Sequence, residues 1–167
     1  MKTMNPQSVT AEPIKFFAAG DPPKTTAQEQ KISFNRKTGR PVIYKPAKVK
    51  NAREQLRWMV RSHRPKVPFD CPIEVKVTWI FPLHKSDKAG QWYWHDTKPD
   101  CGNLDKALLD VLEDEGFYTN DSRIVREVIQ KIRGDDPGIL IQMSPIISNP
   151  ADICREFEED IDHDTRS

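Results

Sequence analysis

Ile73-Glu74-Val75-Lys76-Val77-Thr78-Trp79-Ile80-Phe81 alternates with a period of two, apolar residues at the odd positions and mostly polar ones between. In an extended chain successive side chains point to opposite faces, so Ile73, Val75, Val77, Trp79 and Phe81 fall in one row. The stretch predicts a strand with one well-buried face. Upstream of it, Val49, Ala52, Leu56, Met59 and Val60 recur at three- and four-residue intervals between Ala47 and His63. That spacing predicts an amphipathic helix, and Lys48, Arg53, Arg57, Arg61 and Arg64, mostly between those positions, predict a basic outer face. Downstream, Leu104, Ala107, Leu108, Val111 and Leu112 predict a second helix with Asn103 as N-cap and an end near Gly116.

The flanks add shorter extended segments. Ile14 to Ala18 reads as a first strand closed by Gly20-Asp21-Pro22-Pro23, since proline cannot continue a central ladder. Lys31 to Phe34 and Pro41 to Tyr44 flank the basic connection Asn35 to Arg40, which fits either a hairpin or a mobile loop. Trp92, Tyr93 and Trp94 are expected either to pack into the core or to stack against bases; packing is favoured, because exposed aromatic groups without a partner are disfavoured. Val125 to Ile132 and Ile139 to Met143 predict two more strands around a Gly-Asp-Asp-Pro-Gly turn. The order points to an α+β domain: a small mixed β-sheet with two main helices packed against it. Its expected limits are residues 14–146, between a polar leader (1–13) and an acidic tail (147–167) expected to be disordered.

No run approaches the roughly 18 apolar residues of a membrane span, and the N-terminus lacks a secretory signal, so a cytoplasmic protein is expected. Cys71, Cys101 and Cys154 form no Cys-x-x-Cys pair and the four histidines are scattered, which disfavours zinc and a disulfide framework. The formal net charge of +1 hides a segregation. Residues 15–66 hold 14 Lys or Arg against 3 Asp or Glu, while residues 67–146 hold 9 against 14. A basic first third followed by an acid-rich part suits a protein that binds a polyanion with one region and a divalent cation with another.

The chemistry concentrates in Lys98-Pro99-Asp100-Cys101-Gly102-Asn103-Leu104-Asp105-Lys106 and its continuation through Asp110 to Asn120-Asp121-Ser122. Asp100 precedes the second helix and Asp121 follows it, so a fold that returns the chain to the same sheet edge brings two carboxylates together. Mg²⁺ prefers such oxygen ligands and takes the rest from water and phosphate. Lys106 stands in the helix's first turn, where the macrodipole disfavours a cation by a few tenths of a kcal/mol to about 1 kcal/mol. Two readings are equally open: charge stabilisation near a phosphate, or an ordinary i,i+4 pair with Asp110.

Taken together, Asp-x-x-Asn-Leu-x-Lys-x-x-x-Asp-x-Leu from Asp100, followed by Gly116-Phe117 and Asn120-Asp121-Ser122, resembles the signature of the RusA family of Holliday junction resolvases; Gly20-Asp21-Pro22-Pro23-Lys24 is similar to that family's N-terminal segment. The resemblance covers residues 14–146 and implies a homodimeric, Mg²⁺-dependent endodeoxyribonuclease, often phage- or prophage-encoded, that cuts four-way DNA junctions. It implies that Asp100 and Asp121 are catalytic metal ligands and Lys106 the catalytic lysine. Gly102 stands where the family carries a further aspartate. Three explanations are open: Asp105 substitutes, although on helix geometry it is expected to point away from Asp100; the site works poorly with two carboxylates; or the chain is an inactive form that still binds DNA. The expectation is reduced or lost cleavage with junction binding retained. Lys24, Arg36, Lys37, Arg40 and Lys98 are the expected phosphate contacts, because phosphate binding needs cations.

Overall fold

A computed structural model describes residues 12–24, 31–34, 38–44 and 47–155. Strands β1 (Ile14–Ala19), β4 (Ile73–Pro82), β5 (Tyr93–Trp94), β6 (Ile124–Gly134) and β7 (Gly138–Pro145) form one mixed sheet in the order β1-β7-β4-β6-β5. β2 (Lys31–Phe34) and β3 (Pro41–Tyr44) form a separate antiparallel pair, while Asn35 to Lys37 of the basic connection lie outside the described residues. Helices α1 (Ala47–Val60) and α2 (Cys101–Asp114) complete an α+β fold.

β4 sits at the centre because it is the strand most able to satisfy both neighbours. It runs parallel to β6 and antiparallel to β7. Ile73, Val75, Val77, Trp79 and Phe81 are all buried, as the period-two pattern requires. They meet Leu56 and Val60 of α1 and Leu104, Leu108, Val111 and Leu112 of α2 in a single core. The turn between β6 and β7 does not close a hairpin: β4 lies between them, and Asp135 to Pro137 span its end.

The two helices pack through charge as well as through apolar contact. Arg53 Nη2 lies 2.6 Å from Asp114 Oδ2, Arg57 Nη2 3.0 Å from the same oxygen, and Arg57 Nε 2.8 Å from Glu115 Oε1. These arginines hold the Asp114 carboxyl below its ordinary range, the hydrogen bond from Arg53 first among the causes. The basic face expected of α1 is therefore partly directed at α2, leaving Lys50, Arg61 and Arg64 exposed.

Two local expectations are corrected. Trp92 and Trp94 are 63% and 71% exposed instead of lying in the core. Trp94 lies in the short edge strand β5, which has an open outer face, and Trp92, just before that strand, covers the backbone at Gly134, where an added Cβ would meet its ring at 2.2 Å. The N-cap of α2 is Asp100 and not Asn103: Asp100 has extended φ/ψ, and its carbonyl accepts the Leu104 N–H at 3.1 Å. Beyond the sheet, residues 150–155 form a short helical turn; residues 156–167 lie outside the described residues.

Candidate active site

α2 begins at Asp100 and ends in a Schellman motif, with Gly116 N–H bonded to Glu113 O and Phe117 N–H to Leu112 O, both at 2.9 Å. Gly116 takes φ +76°, a left-handed conformation that glycine adopts without a Cβ penalty. The chain then turns back under the helix. Phe69 and Tyr118 form a β-bridge, and Tyr118 donates its hydroxyl to Leu109 O at 2.6 Å. Thr119 donates to Asp70 Oδ1 at 2.6 Å and Arg123 pairs with the same oxygen at 2.8 Å. Asn120 Oδ1 accepts the Ser122 N–H at 3.1 Å, capping a 3-10 turn that begins at Asp121. These bonds anchor both sides of Asp121 while its own carboxylate stays exposed.

The result is a cleft of about 430 Å³ between α2 and the start of β6. From α2 it receives Gly102, Asp105, Lys106 and Asp110, residues at i, i+3, i+4 and i+8 and hence on one helical face. Asp121 and Glu127 close the other side, with Leu109, Ile124 and Ile129 as the apolar part of the lining. Ile124 and Glu127 are three apart, which in a regular strand puts them on opposite faces. Here the β4–β6 register shifts between Ile73 and Glu74, so that β6 contains one extra residue and both side chains reach the cleft.

Of the residues singled out by sequence, Asp121 and Lys106 come together in this cleft. Asp100 is exposed and is not part of the lining, although Gly102, two residues on, is. The Asp100 carboxylate makes no capping hydrogen bond. Its segment is held from below. Lys131 Nζ donates to Thr97 O and Pro99 O, each at 2.7 Å, and the buried His95 ring, stacked on Phe81 at 4.2 Å, has Nε2 3.3 Å from Lys98 O. Lys98 and Pro99 are joined by a cis peptide. The Lys106–Asp110 pair does not form: Asp110 faces Arg53 Nη1 at 3.9 Å, and Lys106 has no ion pair among the described residues. Lys24, Arg40 and Lys98 are exposed; Arg36 and Lys37 lie outside the described residues.

Sequence reasoning passed over Glu127, and weighed Asp105 only as a substitute for the missing carboxylate that was expected to point away from Asp100. Asp105 is 3% exposed, and its Oδ1 is buried without a hydrogen-bond partner among the described residues. Burial pushes its carboxyl up to about 7, with the Glu127 charge and a hydrogen bond shared with Glu127 adding to the effect. Two carboxylates share a hydrogen bond only when one is protonated. A buried charge without a partner is costly, so this environment disfavours the ionised form of Asp105. The signal for Asp105 was a charged residue at an interior helical position; nothing local marked Glu127.

Among the described residues no three His, Cys, Asp or Glu side chains stand close enough to enclose a metal ion. Mg²⁺ does not require that, because it commonly uses one or two carboxylates and completes its shell with water and phosphate oxygens. The all-oxygen donors of the cleft and the unpartnered Asp105 Oδ1 fit a hard divalent cation. Gly102 leaves room beside them, since an added Cβ would have nothing within 4 Å.

Residues 22–144 match the family described as Endodeoxyribonuclease RusA. The chain is 27% identical over 93 residues to the "Crossover junction endodeoxyribonuclease rusA" of Lactococcus phage r1t, covering 54% of this chain and 70% of the relative. It is 28% identical over 107 residues to the "Crossover junction endodeoxyribonuclease RusA" of Aquifex aeolicus (strain VF5), covering 64% and 75%. An uncharacterised protein of Bacillus subtilis (strain 168) is 26% identical over 142 residues, covering 80% and 96%. The matched span contains both helices, the cleft and four of the five strands of the main sheet, all but β1, and on that extent the chain belongs to the RusA endodeoxyribonuclease family.

Proposed function

We propose that this protein is a divalent-metal-dependent, structure-specific endodeoxyribonuclease that resolves four-way DNA junctions. The observation that carries the reading is the meeting of Lys106 and Asp121 in one cleft with an all-oxygen donor set. Asp100 and Asp121 are the proposed ligands of Mg²⁺. When bound, the ion supplies charge neutralisation at a phosphate and lowers the pKa of a water.

The chain's own residues do the rest. Lys106, in no ion pair among the described residues, is placed to hold a phosphate oxygen as its negative charge grows. Lys131, through its two carbonyl contacts, fixes the segment that ends in Asp100. Lys24, Arg36, Lys37, Arg40 and Lys98 provide phosphate contacts that position the duplex arms without reading sequence. No helix of the described residues is long and apolar enough to cross a membrane, and the substrate argues for a cytoplasmic protein. A four-way junction presents related strands about an axis, so symmetric cutting calls for a homodimer with two related clefts.

Gly102 supports a second reading, a junction-binding protein that does not cut, because glycine offers no ligand where the resemblance implies a carboxylate. One experiment separates the two. A labelled synthetic four-way junction is incubated with Mg²⁺ and the chain or its Gly102→Asp variant, and retention is recorded in the same samples. Cleavage by the chain as it stands supports the nuclease. Retention by both with cleavage only by the variant supports the binder, and retention by neither removes both readings.

A further inference from the structure

The Asp105–Glu127 pair lies outside the ligand set given above, and the inference rests on the nuclease reading only for what the site does with DNA. We infer that Asp105 of α2 and Glu127 of β6 form a divalent-cation site that replaces the carboxylate missing at Gly102. Three independent observations converge on it.

The first is the burial of Asp105. A carboxylate is rarely placed at 3% exposure without donors to satisfy it, yet Asp105 Oδ1 has none among the described residues, and the group against this carboxyl is another carboxyl. Salt-linked carboxylates elsewhere in the chain show the contrast: Asp114 and Glu74 each have two basic partners. Asp105 has no ion pair among the described residues, so its ionised form is unfavourable at the cleft wall unless a cation enters.

The second is the register shift that opens β6. A regular strand would send Glu127 to the sheet face opposite Ile124. The extra residue brings it instead to the face under α2, against Asp105. The third is Gly102, one helical turn before Asp105 and Lys106 on the same face. Its missing side chain leaves the cleft open beside Asp105, where an added Cβ meets nothing within 4 Å. The lost ligand and the gained pair thus border the same space. Two carboxylates, waters and phosphate oxygens are a sufficient shell for Mg²⁺ or Mn²⁺. Asp121 lines the same cleft and is placed to reach the ion through water.

The test is a Mn²⁺ titration of the full-length chain by calorimetry, without DNA, alongside Asp105→Asn, Glu127→Gln and Gly102→Asp. Glu127 is exposed, so its substitution leaves the core untouched if Asp105→Asn disturbs it. Each of the first two variants is expected to weaken Mn²⁺ at least tenfold. Gly102→Asp is expected to bind it more tightly, and adding Asp105→Asn to it is expected to cost less than tenfold. Affinity unchanged within twofold in both single variants, or no Mn²⁺ binding by the parent chain, overturns the site. Junction retention in chelator, measured on the same proteins, keeps the two proposals apart. Loss of retention with Mn²⁺ binding still dependent on Asp105 and Glu127 defeats the nuclease reading alone, and the reverse pattern defeats the site alone.

Discussion

The carboxyl of Asp105, buried on the inner face of α2, lies against the carboxyl of Glu127 on the exposed start of β6, and Asp105 has no ion pair among the described residues. Twenty-one residues of chain separate the two, including the end of the helix, its left-handed Gly116 and the turn at Asp121. The contact is therefore a product of how that connection folds back, and it makes the electrostatics of the cleft testable.

Asp105 should make stability depend on pH. Its folded pKa is raised from 3.8 to about 7. A raised pKa means that the folded state holds the proton more firmly. The contribution is fully present below the unfolded value, is lost as pH rises from near 3.8 to near 7, and is flat above that. The loss amounts to at most about 4 kcal/mol. In metal-free buffer Asp105→Asn should match the parent near pH 4 and be the more stable protein at pH 8. Equal urea midpoints at pH 8 would show that the burial is relieved in another way.

Gly102→Ala should stabilise the chain by about 0.5–1 kcal/mol, because alanine loses less backbone entropy in a helix and meets no atom within 4 Å. Gly102→Asp adds a favourable charge in the first turn of α2, yet places it on the face that carries Asp105. Its thermal midpoint should rise more on adding Mn²⁺ than that of Gly102→Ala. Identical metal-induced shifts would separate position 102 from the cation site.

Lys106→Met should lower the single-turnover cleavage rate about 10²- to 10³-fold, the scale of losing one transition-state donor. Junction affinity should change little, since one phosphate contact is a small part of the whole. The variant should fold normally, Lys106 being exposed and in no ion pair among the described residues. A pure affinity loss with unchanged cleavage at saturation would make Lys106 a binding residue.

Lys131→Met removes two hydrogen bonds to Thr97 O and Pro99 O. A loss of about 1–3 kcal/mol in urea unfolding is expected for charge-assisted bonds at a half-buried position. The segment leading to Asp100 should also loosen, seen as faster amide exchange at Cys101 and Gly102. Unchanged exchange there would show that the His95 contact alone holds the segment.

Replacing Arg36, Lys37 and Arg40 together by alanine should weaken junction binding and flatten its salt dependence, because fewer counterions are released. Fluorescence anisotropy across a range of salt concentrations reads the slope directly. A slope equal to the parent's would take the β2–β3 connection out of the interface.

Much of this was legible before any fold was known. The odd positions of Ile73 to Phe81 are the buried row of β4, and the three- and four-residue spacing of Leu104 to Leu112 is the inner face of α2. These patterns are local, since the period of a strand or helix fixes which side chains share a face. Lys106 and Asp121 stood out for the same reason, through their position relative to one helix.

What the tertiary structure alone decided is who meets whom. That β4 would separate β6 from β7 depends on pairing between strands far apart in sequence, which a turn composition does not encode. Trp92 and Trp94 are hydrophobic by type, yet an edge strand has an outer face, and hydrophobicity does not say which strand is the edge. Glu127 reads as one more charge on a strand until a single extra residue in β6 changes its face. Asp105 lies within the motif itself, but only the approach of β6 removes its water and gives it a second carboxyl for a neighbour. Side-chain type and spacing are properties of the chain, whereas desolvation and charge proximity belong to the folded surface that surrounds it.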